Sequence, residues 1–199
     1  MTTFFAGFFL SLSLILAIGS QNAFVLKQGI KKQHVLLICT ICGVSDAILI
    51  SLGIAGFGAI VNEYPSIEIY ARYGGALFLL VYSVLSFKSA FSQRHILKPE
   101  TGVEKSILKT VAICLAFTWL NPHVYLDTMV LLGSISTQYE GKQVEFGFGA
   151  ILGSFTFFFS LGYGARLLAP VFQKPKAWQV LEFIVGITML IIALTLVFG

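Results

Sequence analysis

Residues 107–133 read ILKTVAICLAFTWLNPHVYLDTMVLLG. This apolar run exceeds the roughly 20 residues that carry a helix through a hydrocarbon core of about 30 Å. Asn121-Pro122 interrupts it near the middle. Proline has no amide hydrogen to donate and its ring clashes with the preceding turn, so a helix is expected that kinks or unwinds at that point. Five further apolar runs surround it: Phe4 to Leu26, His34 to Val61, Ile67 to Phe91, Val144 to Leu168 and Ala177 to Phe198. None alternates with the period of two that a membrane β-barrel needs, and in hydrocarbon a helix satisfies its own backbone. The expected fold is all-α: an integral membrane protein of about six transmembrane helices forming a single domain over 1–199, with broken helices in spans one and four.

Composition agrees. Of 199 residues, 57% are hydrophobic and 11% charged, against roughly 25% charged in soluble domains, and the mean hydropathy is +0.89. Such a chain has too little polar surface to cover a water-facing globule. The net charge of +4 does not point to nucleic acid, because the basic residues sit in short links between apolar runs and form no stripe on a soluble domain. Cys39, Cys42 and Cys114 lie inside apolar runs. With no second C-x-x-C pair and no histidine cluster, they read as small packing residues, and no metal site is expected. Phe4 to Ile18 resembles a signal-peptide core. No basic residue precedes it, however, and apolar character resumes after Asn22, so a retained first helix is the expectation.

The links then set the topology. Lys27, Lys31 and Lys32 follow span one; Lys88, Arg94, Lys98, Lys105 and Lys109 surround the third link; Arg166, Lys174 and Lys176 surround the fifth. Eleven of the 13 basic residues thus fall on one side, which the positive-inside rule makes cytoplasmic, with both termini outside. The link Gln93 to Ser106 divides the chain into two halves, about 1–92 and 107–199. Ser45 to Gly53 in span two lines up with Ser154 to Gly162 in span five at an offset of 109, and Gly75 matches Gly186 at 111. Three spans per half would turn the second copy upside down, the inverted-repeat plan of many secondary transporters.

Polar residues at membrane depth carry the functional signal. Gly19-Ser20-Gln21-Asn22 interrupts span one as Asn121-Pro122 interrupts span four, and backbone groups freed at such breaks need partners. Those partners are neighbouring helices or a bound solute. Asp46 lies halfway along span two and Asp127 in the second half of span four. A carboxylate at helix centre costs about 2.5–3.5 kcal/mol, so two of them suggest a pathway or a partner. Arg166 could neutralise one; otherwise the site suits a cationic solute, protons, or each in turn. His123 precedes Asp127 by four residues and would share its face in a continued helix, as a proton relay or as an interface histidine. Tyr125 and Trp119 flank the break, to line a cavity or to pack. Gly149 and Gly153 form a helix-contact pattern.

Gly19 to Ile30 (GSQNAFVLKQGI), then Ser45-Asp46, then Thr118 to Thr128 (TWLNPHVYLDT) resemble the lysine/arginine exporter (LysE/ArgO) family, in order and spacing, over essentially the whole chain. The resemblance implies efflux of L-lysine or L-arginine across a bacterial inner membrane, driven by the electrochemical gradient, with no organic cofactor. This chain has Ser20 where the family usually has proline, which implies a softer first break. The expected site combines Gln21, Asn22, Asn121, Pro122, His123 and Tyr125 with Asp46 and Asp127. Asn22 and Asn121 would hold the α-carboxylate and α-amino group, and the two acids would face the cationic groups. Protons and the lipid bilayer are the other expected partners, and a homodimer is one arrangement open to such a protein. Rival readings are an exporter of neutral solutes such as homoserine or threonine, a channel, and an embedded enzyme. The neutral exporter has less need of two buried acids, and the three histidines, scattered without a His-x-x-x-His pattern, argue against the enzyme.

Overall fold

A computed structural model describes residues 2–16, 19–56, 65–91, 106–171 and 174–198. Among these residues the regular structure is entirely helical: α1 Thr2–Ile15, α2 Ser20–Lys31, α3 Val35–Ile54, α4 Pro65–Phe91, α5 Ile107–Trp119, α6 Pro122–Tyr125, α7 Leu132–Ser136, α8 Gln143–Gly164 and α9 Pro175–Phe198. A π-helical turn, Leu126–Leu131, joins α6 to α7, and a 3-10 turn, Ala165–Leu168, extends α8. Four helices are long and apolar enough to cross a membrane, and the number is six if each bent pair is one span. The bent pairs are α1 with α2, at 85°, and α5 with His123–Ser136, at 61°. Breaks thus fall in spans one and four, as the sequence predicts. The end of span two beyond Gly56 and most of the link Gln93 to Ser106 lie outside the described residues.

The first break differs in detail from expectation. Ser20, Gln21 and Asn22 do not form the interruption; they open α2, while α1 stops at Ile15. At 1.5 Å per residue, α1 and α2 reach about 21 Å and 18 Å, so neither spans a 30 Å core alone. Asn22 explains the corner, because its Nδ2 donates to the Ile15 carbonyl at 2.6 Å and satisfies an acceptor that the end of α1 leaves open. A second difference concerns Lys27. The sequence reading counts it among link residues, but it lies on α2 and pairs with Glu182 of α9 inside the bundle, Nζ to Oε1 2.6 Å.

The polarity of the bundle is inverted relative to a soluble protein. Asp46, Glu182, Gln21, Ser45 and Ser154 are buried, whereas Leu77, Val84, Leu152, Leu167 and Ile191 are exposed. An apolar exterior of this extent is stable only against lipid.

Close helix crossings are made at glycines. Gly7 of α1 lies against the Phe146 carbonyl of α8, and Gly149 and Gly153 of α8 lie against the carbonyls of Phe4 and Phe8. At a second crossing, Gly53 of α3 approaches the Met129 backbone and Gly133 of α7 approaches Gly53, so that a Cβ on either would come within 2.6 Å of a carbonyl oxygen. Helix α4 packs along α9, where Ser83 Oγ donates to the Gly186 carbonyl at 2.8 Å and the Phe87 ring fills the space a Gly186 side chain would need. Helices α3 and α8 cross at the centre, with the Cys39 thiol donating to the Phe158 carbonyl at 3.1 Å. Cys42 and Cys114 touch across α3 and α5, Sγ to Sγ 3.5 Å, as buried free thiols.

Candidate functional site

The two helix breaks open into one cavity of about 270 Å³, a space for a small solute and far too small for a macromolecule. Its polar lining comes from the start of α2 (Gln21, Asn22), the middle of α3 (Asp46) and the second break with the turn that follows it (Asn121, His123, Asp127, Thr128). Leu14, Ile15, Phe158 and Ile192 supply the apolar wall. Low-dielectric walls strengthen whatever electrostatic contacts form inside.

Each polar group has an identifiable origin. Asp46 is 2% exposed and accepts a hydrogen bond from Ser154 Oγ of α8 at 2.7 Å. Ser154, aligned with Ser45 in the two halves of the sequence, thus meets the residue next to Ser45, while Ser45 Oγ itself accepts from the Trp119 indole of α5 at 3.3 Å. Asn121 turns its Oδ1 toward the His123 amide at 3.2 Å and so caps the short helix that begins at Pro122. Asp127 lies in the π-helical turn Leu126–Leu131, whose wider spacing replaces the α-helical spacing assumed from sequence; His123 and Asp127 nevertheless reach the same cavity. Gln21 Nε2 is buried and has no hydrogen-bond partner among the described residues, which leaves a donor in a residue that lines the cavity.

Of the residues picked out from sequence, the cavity brings together Gln21, Asn22, Asp46, Asn121, His123 and Asp127. Tyr125 is placed otherwise. Its hydroxyl donates to the Trp119 carbonyl at 2.7 Å, closing the helix break from within, and it is not among the lining residues. Pro122 opens the second piece of span four. Arg166 lines a separate recess with Lys32 and His34, its guanidinium 4.3 Å from the centre of the Tyr163 ring. Sequence reasoning missed Ser154 and Thr128. Serine and threonine are common in membrane helices, and the one available signal, the match of Ser154 to Ser45, was read as a repeat marker only. The Lys27–Glu182 pair was missed for the same reason that Lys27 was assigned to a link: a lysine near a helix end reads as a topology signal.

The geometry gives a small cavity in a membrane bundle, beside two helix breaks and lined by two acids, Asp46 and Asp127, and three side-chain amides, Gln21, Asn22 and Asn121. Among the described residues no group of histidine, cysteine and acidic side chains is arranged to hold a metal ion. Comparison with known proteins adds a family. A family model described as LysE type translocator matches residues 12–199. A protein of Mycobacterium bovis, named provisionally as an amino-acid transporter, is 41% identical over 182 residues, covering 92% of this chain and 90% of its own length. The arginine exporter protein ArgO of Pectobacterium carotovorum is 40% identical over 194 residues, 97% of this chain and 95% of its own. That of Salmonella paratyphi A is 41% identical over 194 residues, 97% and 92% respectively. No solved structure matches the chain.

Proposed function

The chain belongs to the LysE type translocator family, and from that membership we propose that it is a secondary transporter exporting a basic amino acid, L-arginine or L-lysine, from the bacterial cytoplasm in exchange for protons. The observation that carries this reading is the cavity at the two broken helices, lined by both Asp46 of α3 and Asp127. A basic amino acid bears two cationic groups and one carboxylate. Two acids answer the cations, while Gln21 Nε2 and the amides at the start of α2 answer the carboxylate. Asn22 and Asn121 hold the α-groups and His123 relays protons at the rim. Tyr125 and Pro122 act on the solute only through the shape of the break.

Coupling follows from charge. Moving a cation outward against an inside-negative potential costs about 2.3 kcal/mol per 100 mV, and a proton entering on the emptied carboxylates cancels that movement. Alternating access would come from an inverted repeat. In support, the first broken segment crosses α8 at Gly7, Gly149 and Gly153, and the second crosses α3 at Gly53 and Gly133. In this arrangement the repeats are about 1–92 and 107–199, the basic links face the cytoplasm and both termini face outward. The decisive experiment loads proteoliposomes with labelled arginine or lysine, imposes a pH difference and compares efflux with protein-free vesicles. Saturable, proton-dependent efflux of either solute is expected. Efflux of homoserine or threonine alone, or non-saturable flux, would overturn the proposal.

A further inference from the structure

We propose that Glu182 is a second, transient site for the cationic head of the exported solute, an alkylammonium or guanidinium, and that Lys27 occupies it as a tethered stand-in whenever solute is absent. The identity of the cargo rests on the exporter reading above; the cation site itself does not.

Lys27 Nζ lies 2.6 Å from Glu182 Oε1 and 2.8 Å from Oε2, with the two side chains 12% and 2% exposed. The same ammonium sits 5.6 Å from the centre of the Tyr82 ring. A carboxylate reached by both oxygens beside an aromatic face is the environment that binds a free alkylammonium or guanidinium. Lys27 is chemically a lysine side chain in that environment. Cohesion alone does not account for the pair, since taking two charges out of water costs at least as much as their attraction returns, and apolar residues of similar volume would hold α2 to α9 equally well.

Position supplies the second argument. Along α2, Lys27 lies five residues beyond Asn22, a rise of about 8 Å along the helix axis, and Phe24 falls between them in the chain. Phe24 belongs to a buried aromatic group in which Phe24, Phe78 and Tyr82 all meet the Phe117 ring, with centroids 5.3, 4.9 and 4.7 Å away. Tyr82 thus lies beside both the aromatic group and Lys27. The pair marks the end of the bundle where α2 finishes and α9 begins, near Lys31, Lys32, Lys174 and Lys176, the cytoplasmic end in the proposed topology. A solute arriving from the cytoplasm meets Glu182, displaces Lys27, passes the aromatic group and reaches Asp46 and Asp127. Replacing one ammonium by another at one carboxylate leaves no additional net charge buried at the exchange step.

The test uses the full chain in detergent and in proteoliposomes. Lys27→Ala, purified in n-butylammonium so that Glu182 stays neutralised, should lose thermal stability when the ion is removed. It should regain that stability with n-butylammonium or ethylguanidinium and not with sodium at equal ionic strength. Lys27→Ala/Glu182→Gln, which buries no unpaired charge, should fold without the ion and show no response to it. In efflux assays this double variant should raise the KM for arginine loaded on the cytoplasmic side about tenfold at similar kcat, the loss of one charge-assisted contact. No response of Lys27→Ala to either cation, or an unchanged KM in the double variant, overturns the proposal. If wild-type protein moves neither arginine nor lysine while alkylammonium still restores Lys27→Ala, the exporter reading and the cargo assignment fall and the cation site stands.

Discussion

Ser154→Ala isolates the contact that the tertiary structure adds to Asp46. In the folded protein Ser154 is fully buried, Asp46 is 2% exposed, and the hydroxyl donates to the carboxylate at 2.7 Å. The substitution removes one oxygen and with it the donor that α8 supplies to the carboxylate. A hydrogen bond to a charged group contributes about 1.5–3 kcal/mol, which converts to about 10- to 150-fold in an equilibrium constant. In the proposed cycle Asp46 is charged with solute bound and protonated without it. Only the difference between a charged and a neutral hydrogen bond, about 1 kcal/mol, therefore enters, and the KM for arginine or lysine should rise about fivefold. Helix packing should hardly change, because alanine fits wherever serine does. The assay is initial efflux from proteoliposomes across a range of internal solute concentrations, with reconstituted protein quantified and its melting temperature measured in detergent. Ser154→Thr, which keeps the hydroxyl, serves as the conservative control. A KM within twofold of wild type in folded Ser154→Ala would refute the role given to Asp46 as the cation's partner.

Asp46→Asn and Asp127→Asn should each abolish net export while leaving inserted, folded protein, as read by efflux and by detergent gel filtration; near-normal transport by either removes that acid from the mechanism. Gly149→Ala should lower the melting temperature, because its Cβ would meet the Phe4 carbonyl and force α1 from α8, at a cost of about 1–3 kcal/mol. One-for-one proton exchange predicts a steady-state solute gradient nearly independent of membrane potential at fixed pH difference. Uncompensated efflux would instead change it about fiftyfold per 100 mV, from about 2.3 kcal/mol, so gradients measured under imposed potentials decide the stoichiometry. Cysteine placed at Gly199 should be labelled from outside the cell; labelling from inside alone would overturn the topology.

Hydropathy alone dictated that this chain lives in a bilayer as helices, because runs such as Val35–Ile54 leave a water-facing fold no polar surface. The placement of Asp46 at the middle of such a run, and of Asn121-Pro122 inside another, was equally legible, since depth along a helix is a matter of counting. Local sequence could not say where the first break falls. That depended on Asn22 reaching back to the Ile15 carbonyl and on an 85° corner. Nor could it show that Asp127 sits in a π-helical turn, or that Tyr125 faces Trp119 across the break instead of the cavity. The pairs that define the site and its approach, Ser154 with Asp46 and Lys27 with Glu182, join residues 108 and 155 positions apart. Helix periodicity orders residues only within a helix. Which faces meet is set by where glycines such as Gly7, Gly53 and Gly149 let backbones approach, and that is a property of the packed bundle alone.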